Sequence, residues 1–170
     1  SCPSNEHELW HLLNICYEHN GPAAIRYPRG SGIGIQPIPN EVEGFEIGKA
    51  KKIKDGKSVC ILNFGVLMDQ IDQIAEKKDY TLYDMRFIKP IDQDALEHAM
   101  QHETIITLED NTLLGGCGSA VGEKLHKQKF KGNLLSIGLK DEFPAHGSRN
   151  EILKINGLDV DSIKKQISNF

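Results

Sequence analysis

One stretch, residues 104–121, does most to constrain how this chain can fold. An apolar run at 105–108 has the character of a β-strand, and the polar residues 109–111 end it. A glycine turn at 115–118 follows, and residues 119–125 have the pattern of a helix leaving that turn. Strand, polar end, glycine turn and helix, in this order, are typical of an open α/β sheet, in which ligands or partners usually meet the strand ends.

A glycine turn before a helix could bind a phosphate, because free N–H groups and the helix dipole point outward at a helix N-terminus. Gly115, Gly116 and Gly118 are spaced G-G-x-G, which matches neither G-x-G-x-x-G nor the P-loop. Glu109 and Asp110 would also repel an anion. We therefore predict that the glycines serve close packing of helix on strand.

The same alternation of strands and helices extends along the chain after one hairpin strand. The predicted strands are 45–53, 58–64, 80–85, 104–108 and 133–138, with a further short strand at 23–27; helices begin after Ser4, Gly65, Asp92, Gly118, Ser148 and Val160. The period is that of right-handed βαβ units. We predict an α/β fold with a mostly parallel sheet of about five strands, one antiparallel edge strand and helices on both faces.

Composition limits the class of protein. The chain has 170 residues and a net charge of -4, which gives no reason to expect a nucleic-acid partner. No apolar run reaches membrane-spanning length, and residues 5–8 rule out a signal peptide at this position. A Gly- and Pro-rich linker at 30–39 places a domain boundary near residues 38–43. The absence of an initiator Met before Ser1 favours an excised fragment.

The four cysteines lie far apart with no C-x-x-C pair, which argues against a zinc knuckle and fits a reducing compartment. Cys60 lies in an apolar strand and is expected to be a small buried hydrophobe. Cys117 lies in the glycine turn, where partial exposure is expected. We predict no nucleophilic role for it, since no base can be named.

The first helix contains His7-Glu8-x-x-His11, which matches the H-E-x-x-H pattern of zinc proteases. The two histidines share one helical face, and Glu18 falls near it. The apolar stripe of the helix consists of Leu9, Leu12, Leu13 and Cys16. Because the histidines lie opposite this stripe, we predict a solvent-facing pair that is open to adventitious metal but has no catalytic zinc.

Four phrases occur together in an order and at separations that resemble one family, 1-deoxy-D-xylulose-5-phosphate synthase, in its C-terminal third. They are R-Y-P-R-G at 26–30, D-M-R-F-I-K-P-I-D at 84–92, E-D-N with G-G-C-G-S-A-V at 109–121, and P-A-H-G-S at 144–148. The wider superfamily of transketolase and 2-oxoacid dehydrogenase β subunits shares the K-P-x-D and G-G-x-G-S elements. One departure is Asn5, where the family commonly has Asp.

The resemblance implies a cytoplasmic homodimer dependent on thiamine diphosphate and Mg²⁺. Such an enzyme joins pyruvate, with loss of carbon dioxide, to glyceraldehyde 3-phosphate, for isoprenoid, thiamine and pyridoxal biosynthesis. The family's catalytic, cofactor and metal residues would lie upstream of Ser1. Residues 1–39 would be the tail of its pyrimidine-binding domain plus a linker, and residues 40–170 a transketolase C-terminal domain, inactive alone but supplying scaffold and dimer surface.

One family site maps onto this chain: the second arginine of R-Y-P-R-G, Arg29, would bind the substrate phosphate. Arg26 would point the other way along the strand and support structure. Asp84, Arg86 and Lys89 form a charged group that would pair locally or across a dimer, and His146 is expected to be structural. Two alternatives stay open: a transketolase or 2-oxoacid dehydrogenase β-subunit domain, and a non-catalytic docking or dimerisation module.

Overall fold

A computed structural model describes residues 1–32, 34 and 45–170 of the chain. The strands are β1 Lys51–Lys54, β2 Val59–Phe64, β3 Tyr80–Asp84, β4 Thr104–Thr112 and β5 Asn133–Leu139. The helices are α1 Glu6–Glu18, α2 Met68–Ala75, α3 Gln93–Ala99, α4 Cys117–Lys127, α5 Arg149–Ile155 and α6 Val160–Ser168. Strands and helices therefore alternate from β2 to α5, as predicted, and α6 follows as a second consecutive helix.

The five strands form one sheet in the order β1-β3-β2-β4-β5. β1 runs antiparallel to β3, and the other neighbours are parallel. In the centre, Ile61 of β2 pairs with Leu82 on one side and Ile106 on the other. The predicted mostly parallel sheet with one antiparallel edge is confirmed.

Helices cover both faces of the sheet, because the side chains of each central strand alternate between two cores. One core joins Cys60 and Leu62 of β2 to α3 and α4. The other joins Ile61 to α2, α5 and α6. The continuous apolar run of β2 is explained by this double coverage, since residues 60–64 are all buried.

Two strands, β1 and β4, differ clearly in extent from the sequence prediction. β1 covers only the end of the predicted strand 45–53, because a turn precedes it in which the Lys49 N–H donates to Glu46 O over 3.1 Å and Gly48 has a φ of +83°. β4 runs on to Thr112, where it pairs with Leu139 of β5. The predicted boundary at residues 38–43 and most of the predicted linker lie outside the described residues.

The predicted strand 23–27 is extended chain with one rung of pairing. The Ser1 amino group donates to Ala24 O over 2.8 Å, and the Arg26 N–H donates to Ser1 O over 3.0 Å. This is the hydrogen-bond pattern of parallel strands, with α1 as the crossover between them.

Candidate functional site

The site lies at the carboxyl ends of β2 and β4. After β2 the chain forms β3 next to β2 on one side, and it later forms β4 next to β2 on the other side. Ligands of open α/β sheets usually bind in the crevice that such a reversal leaves between two strand ends. Here a cavity of about 80 Å³ lies between Arg26, Tyr27 and Pro28 on one side and Phe64 and Asp110 on the other.

Glu109 closes the N-terminus of α4. Its side chain is fully buried, and its carboxylate accepts hydrogen bonds from the Cys117 N–H over 2.9 Å and the Gly118 N–H over 2.8 Å. Carboxylates are favourable at this end of a helix, because they meet unpaired N–H groups and the positive end of the dipole. The position where a phosphate could have bound is therefore taken by the chain's own anion.

Each glycine of the turn has a separate structural reason. A Cβ on Gly116 would lie 2.7 Å from both carboxylate oxygens of Glu109, and one on Gly118 would lie 2.6 Å from Thr107 Oγ1. Gly115 has a φ of +70°, which a side chain disfavours. The prediction of close packing is confirmed for Gly116 and Gly118, whereas at Gly115 a Cβ would meet nothing within 4 Å and the backbone conformation alone favours glycine.

Cys117 is 1% exposed, so the expectation of partial exposure was wrong. Burial, with the Glu109 carboxylate beside it, raises the pKa of its thiol to about 12. A thiol that stays protonated is a poor nucleophile.

Arg26 points into the crevice. One terminal nitrogen lies 4.0 Å from Glu109 Oε2, and the other donates to Cys117 Sγ over 3.7 Å. The side chain of Arg26 is 34% exposed, while that of Glu109 is inaccessible. These contacts give Arg26 a structural role, as predicted, whereas its predicted direction away from that of Arg29 stays a prediction. Sequence reasoning missed Glu109 as the partner. The signal for Glu109 was a carboxylate at the end of an apolar strand, directly before the glycine turn.

Arg29 is exposed and directly follows Tyr27 and Pro28, which line the cavity, so its backbone lies at the rim of the crevice. Among the described residues its guanidinium makes no hydrogen bond or ion pair. The structure thus brings Arg26 and Glu109 together and leaves Arg29 free at the opening.

The charged group in D-M-R-F holds α1 against the sheet. Arg86 Nη2 donates to Glu8 Oε1 over 2.6 Å, and its guanidinium lies 3.7 Å from the centre of the Phe45 ring. Ser4 Oγ donates to Asp84 Oδ2 over 2.6 Å. Burial raises the pKa of Asp84 to about 6, although the Ser4 hydroxyl opposes the rise. The predicted local pairing among these three charges is therefore not what forms: Arg86 pairs with Glu8, which is 78 residues away in the same chain, and the exposed Lys89 is not part of the group.

The predicted orientation of α1 was wrong. His11 is 0% exposed and Leu13 is 53% exposed, so the helix turns its Glu8–His11–Leu12 side inward. The reason is the partner surface, since Arg86 attracts Glu8 and the ring of Phe45 lies 4.9 Å from that of His11. The Nε2 atoms of His7 and His11 are 3.3 Å apart. Glu18 is exposed at the far end of the helix.

His146 lies on an exposed loop. The loop is anchored next to the crevice, because Arg149 at the start of α5 donates to Asp110 Oδ2 over 2.7 Å. Ser148 and Glu151 form the predicted capping box. In the described part of the chain, no three His, Cys, Asp or Glu side chains are grouped to hold a metal ion. Over the same residues, no helix has the length and apolar character needed to cross a membrane.

Comparison with known families decides the classification. Residues 48–163 match the family described as transketolase, C-terminal domain. The chain belongs to this family. A solved structure described as a split gene transketolase, inactive beta4 tetramer, has the same fold as this transketolase C-terminal domain and the residues before it, with a TM-score of 0.82 at 24% identity, over 99% of this chain and 56% of that one.

Curated relatives extend the match beyond the family boundaries. The chain is 45% identical over 169 residues to 1-deoxy-D-xylulose-5-phosphate synthase of Mannheimia succiniciproducens, and 41% identical over 169 residues to that of Idiomarina loihiensis. Each alignment covers 99% of this chain. The chain spans 27% of the length of these relatives.

Proposed function

We propose that this chain is the C-terminal part of a 1-deoxy-D-xylulose-5-phosphate synthase. The complete enzyme would condense pyruvate, with loss of carbon dioxide, and glyceraldehyde 3-phosphate. The observation that carries the proposal is the similarity of 99% of the chain, at 45% identity, to a protein of that name. The R-Y-P-R-G phrase supports it, because it lies at the strand ends where α/β proteins place ligands.

Residues 1–39 would belong to the preceding pyrimidine-binding domain and residues 40–170 to the third domain. The parallel pairing between Ser1 and residues 24–26 supports this division, since two parallel segments joined by a crossover helix would fit the edge of a separate sheet in the preceding domain. An apolar groove of about 610 Å³, lined by Ile25, Phe87 and Ile88 among others, offers surface for packing against the rest of a cytoplasmic homodimer.

Thiamine diphosphate and Mg²⁺ would be bound by parts of the enzyme that precede Ser1. The described residues do not suit a diphosphate, because Glu109 occupies the N-terminus of α4 and Asp110 adds a second carboxylate to the crevice. We infer that this chain supplies scaffold and substrate contacts, and that alone it is inactive.

Arg29 would bind the phosphate of glyceraldehyde 3-phosphate. A guanidinium fork suits phosphate oxygens, and at the rim of the crevice no described residue competes for it. The test uses the complete protein as wild type and as Arg29→Ala, following carbon dioxide release from pyruvate as the acceptor concentration is varied. Losing a charged phosphate contact should lower kcat/KM for the acceptor, and the fall should correspond to a loss of about 2–5 kcal/mol of transition-state stabilisation.

Lys140→Ala is the matched control, because Lys140 is an exposed cation directly after β5 at the same edge of the sheet. If both variants lose activity equally, the effect is one of general positive charge and Arg29 has no specific role. If the wild type is inert with pyruvate and glyceraldehyde 3-phosphate, the synthase assignment is wrong.

A further inference from the structure

Arg26 and Glu109 form an ion pair in the crevice. Glu109 is fully buried, and a buried carboxylate is stable only when it is hydrogen bonded and paired with a cation. Two N–H groups of α4 supply the hydrogen bonds, and Arg26 supplies the charge at 4.0 Å. Swinging Arg26 out to solvent would leave Glu109 with only the helix terminus, so the ion pair favours one position for Arg26.

Arg26 is also held by its backbone. Its N–H donates to Ser1 O over 3.0 Å, and its second terminal nitrogen donates to Cys117 Sγ. The main chain of Arg26 is thus bonded to the N-terminal segment, and its side chain contacts the start of α4. Residue 26 is therefore a fixed point from which the chain continues towards Arg29.

Only two residues separate this fixed point from Arg29. Tyr27 and Pro28 line the cavity against Phe64 and Gly65 at the end of β2, and the proline ring restricts its own φ to about -65°. Because Tyr27 and Pro28 lie against the end of β2 and the φ of Pro28 is fixed, an anchored Arg26 restricts where the backbone of Arg29 can lie. Because the Arg29 side chain has no hydrogen bond or ion pair to another described residue, its position depends on this backbone.

We propose that the Arg26–Glu109 ion pair is a positioning element that holds Arg29 in place for the acceptor phosphate, and so sets the preference for a phosphorylated acceptor. Arg26 itself does not touch substrate. This inference rests on the proposed function, because it concerns the residue assigned there to the phosphate. It adds a second determinant of specificity, 83 residues away from its partner in sequence.

The test compares two acceptors, glyceraldehyde 3-phosphate and unphosphorylated glyceraldehyde, in the complete protein. Arg26→Lys keeps the charge but loses the fork of donors. We expect it to raise the KM for glyceraldehyde 3-phosphate about tenfold or more, since displacing a contact by about 1 Å can cost up to a hundredfold. The kcat at saturation and the kcat/KM for glyceraldehyde should stay within about twofold of wild type.

Glu109→Gln is the second variant, because it keeps the shape of the side chain and removes its charge; it should change acceptor preference in the same direction. A partly unfolded sample lowers activity with both acceptors by the same factor, so the ratio of the two stays a valid readout. Equal losses with both acceptors would overturn the inference. Arg149→Lys is the matched control, since its ion pair with Asp110 lies at the same crevice but on another segment.

A double variant separates this inference from the proposed function. If Arg26 acts through Arg29, Arg26→Lys should cost nothing further in an Arg29→Ala background. Full additivity of the two losses would contradict the inference alone. If Arg29→Ala leaves the acceptor preference unchanged, the proposed phosphate site is wrong and the inference fails with it.

Discussion

Replacing Asp84 by Asn tests the buried contacts between α1 and the sheet. Asp84 is 2% exposed and accepts hydrogen bonds from Ser4 Oγ at 2.6 Å and from the Arg86 N–H at 3.3 Å. An asparagine can keep both contacts, because its amide oxygen accepts from Arg86 and its amide nitrogen donates to the Ser4 hydroxyl. The substitution therefore removes the charge and leaves the hydrogen bonds.

The expected effect depends on pH. Burial raises the pKa of Asp84 from 3.8 to about 6, with Glu8 adding to the rise. The folded protein therefore binds more protons than the unfolded chain between these values, and its stability falls as pH rises through this window. At 1.36 kcal/mol for each pKa unit, the charged form costs about 3 kcal/mol of stability at pH 7.

Urea unfolding at several pH values measures this effect. The free energy of unfolding of Asp84→Asn minus that of wild type should increase by about 2 kcal/mol between pH 4.5 and pH 7. Asp141→Asn, at an exposed carboxyl, controls for the loss of one negative charge. A difference that stays constant over this range, or one that shrinks, would refute the reasoning.

Two further predictions concern packing and can be measured by the same unfolding experiments. Arg86→Leu leaves the Glu8 carboxylate buried without its partner and should lower the free energy of unfolding by about 3–5 kcal/mol. Adding Glu8→Leu should restore much of this loss, and a double variant that does not recover would contradict the prediction. Gly118→Ala should cost about 1–3 kcal/mol, because the new methyl group meets Thr107 Oγ1 at 2.6 Å. At Gly122, on the same helix, a Cβ would meet the end of the Leu134 side chain at 3.3 Å, and this side chain can shift. Gly122→Ala should therefore be neutral or stabilising by up to about 1 kcal/mol, and equal effects at the two glycines would disprove the packing argument.

Much of the fold followed from local pattern. The apolar run at 58–64 predicted a strand covered on both faces, and β2 is such a strand. Asp92 and Ser148 were placed at helix starts by their side chains, and both cap helices as expected. These predictions succeed because strand periodicity and helix capping depend on neighbours within about four residues.

The boundaries that failed depend on distant partners. β4 continues through polar residues to Thr112 because Leu139 of β5 lies alongside to pair with it, and a polar sequence alone predicts an end at Leu108. The face of α1 was misjudged for the same reason. Hydrophobicity favours burial of Leu13, but the adjoining surface presents Arg86, and the helix buries Glu8 instead.

The sequence by itself determined the order of the elements, the parallel sheet, the glycine turn and the family to which the chain belongs. Only the tertiary structure decided the charge pairs, because Glu109 with Arg26 and Glu8 with Arg86 lie 83 and 78 residues apart. A buried charge requires a partner of opposite charge, and the sequence shows which charges exist but not which ones meet. In this protein the Arg26–Glu109 pair lies at the crevice formed by the strand ends, whereas the Glu8–Arg86 pair holds α1 against the sheet.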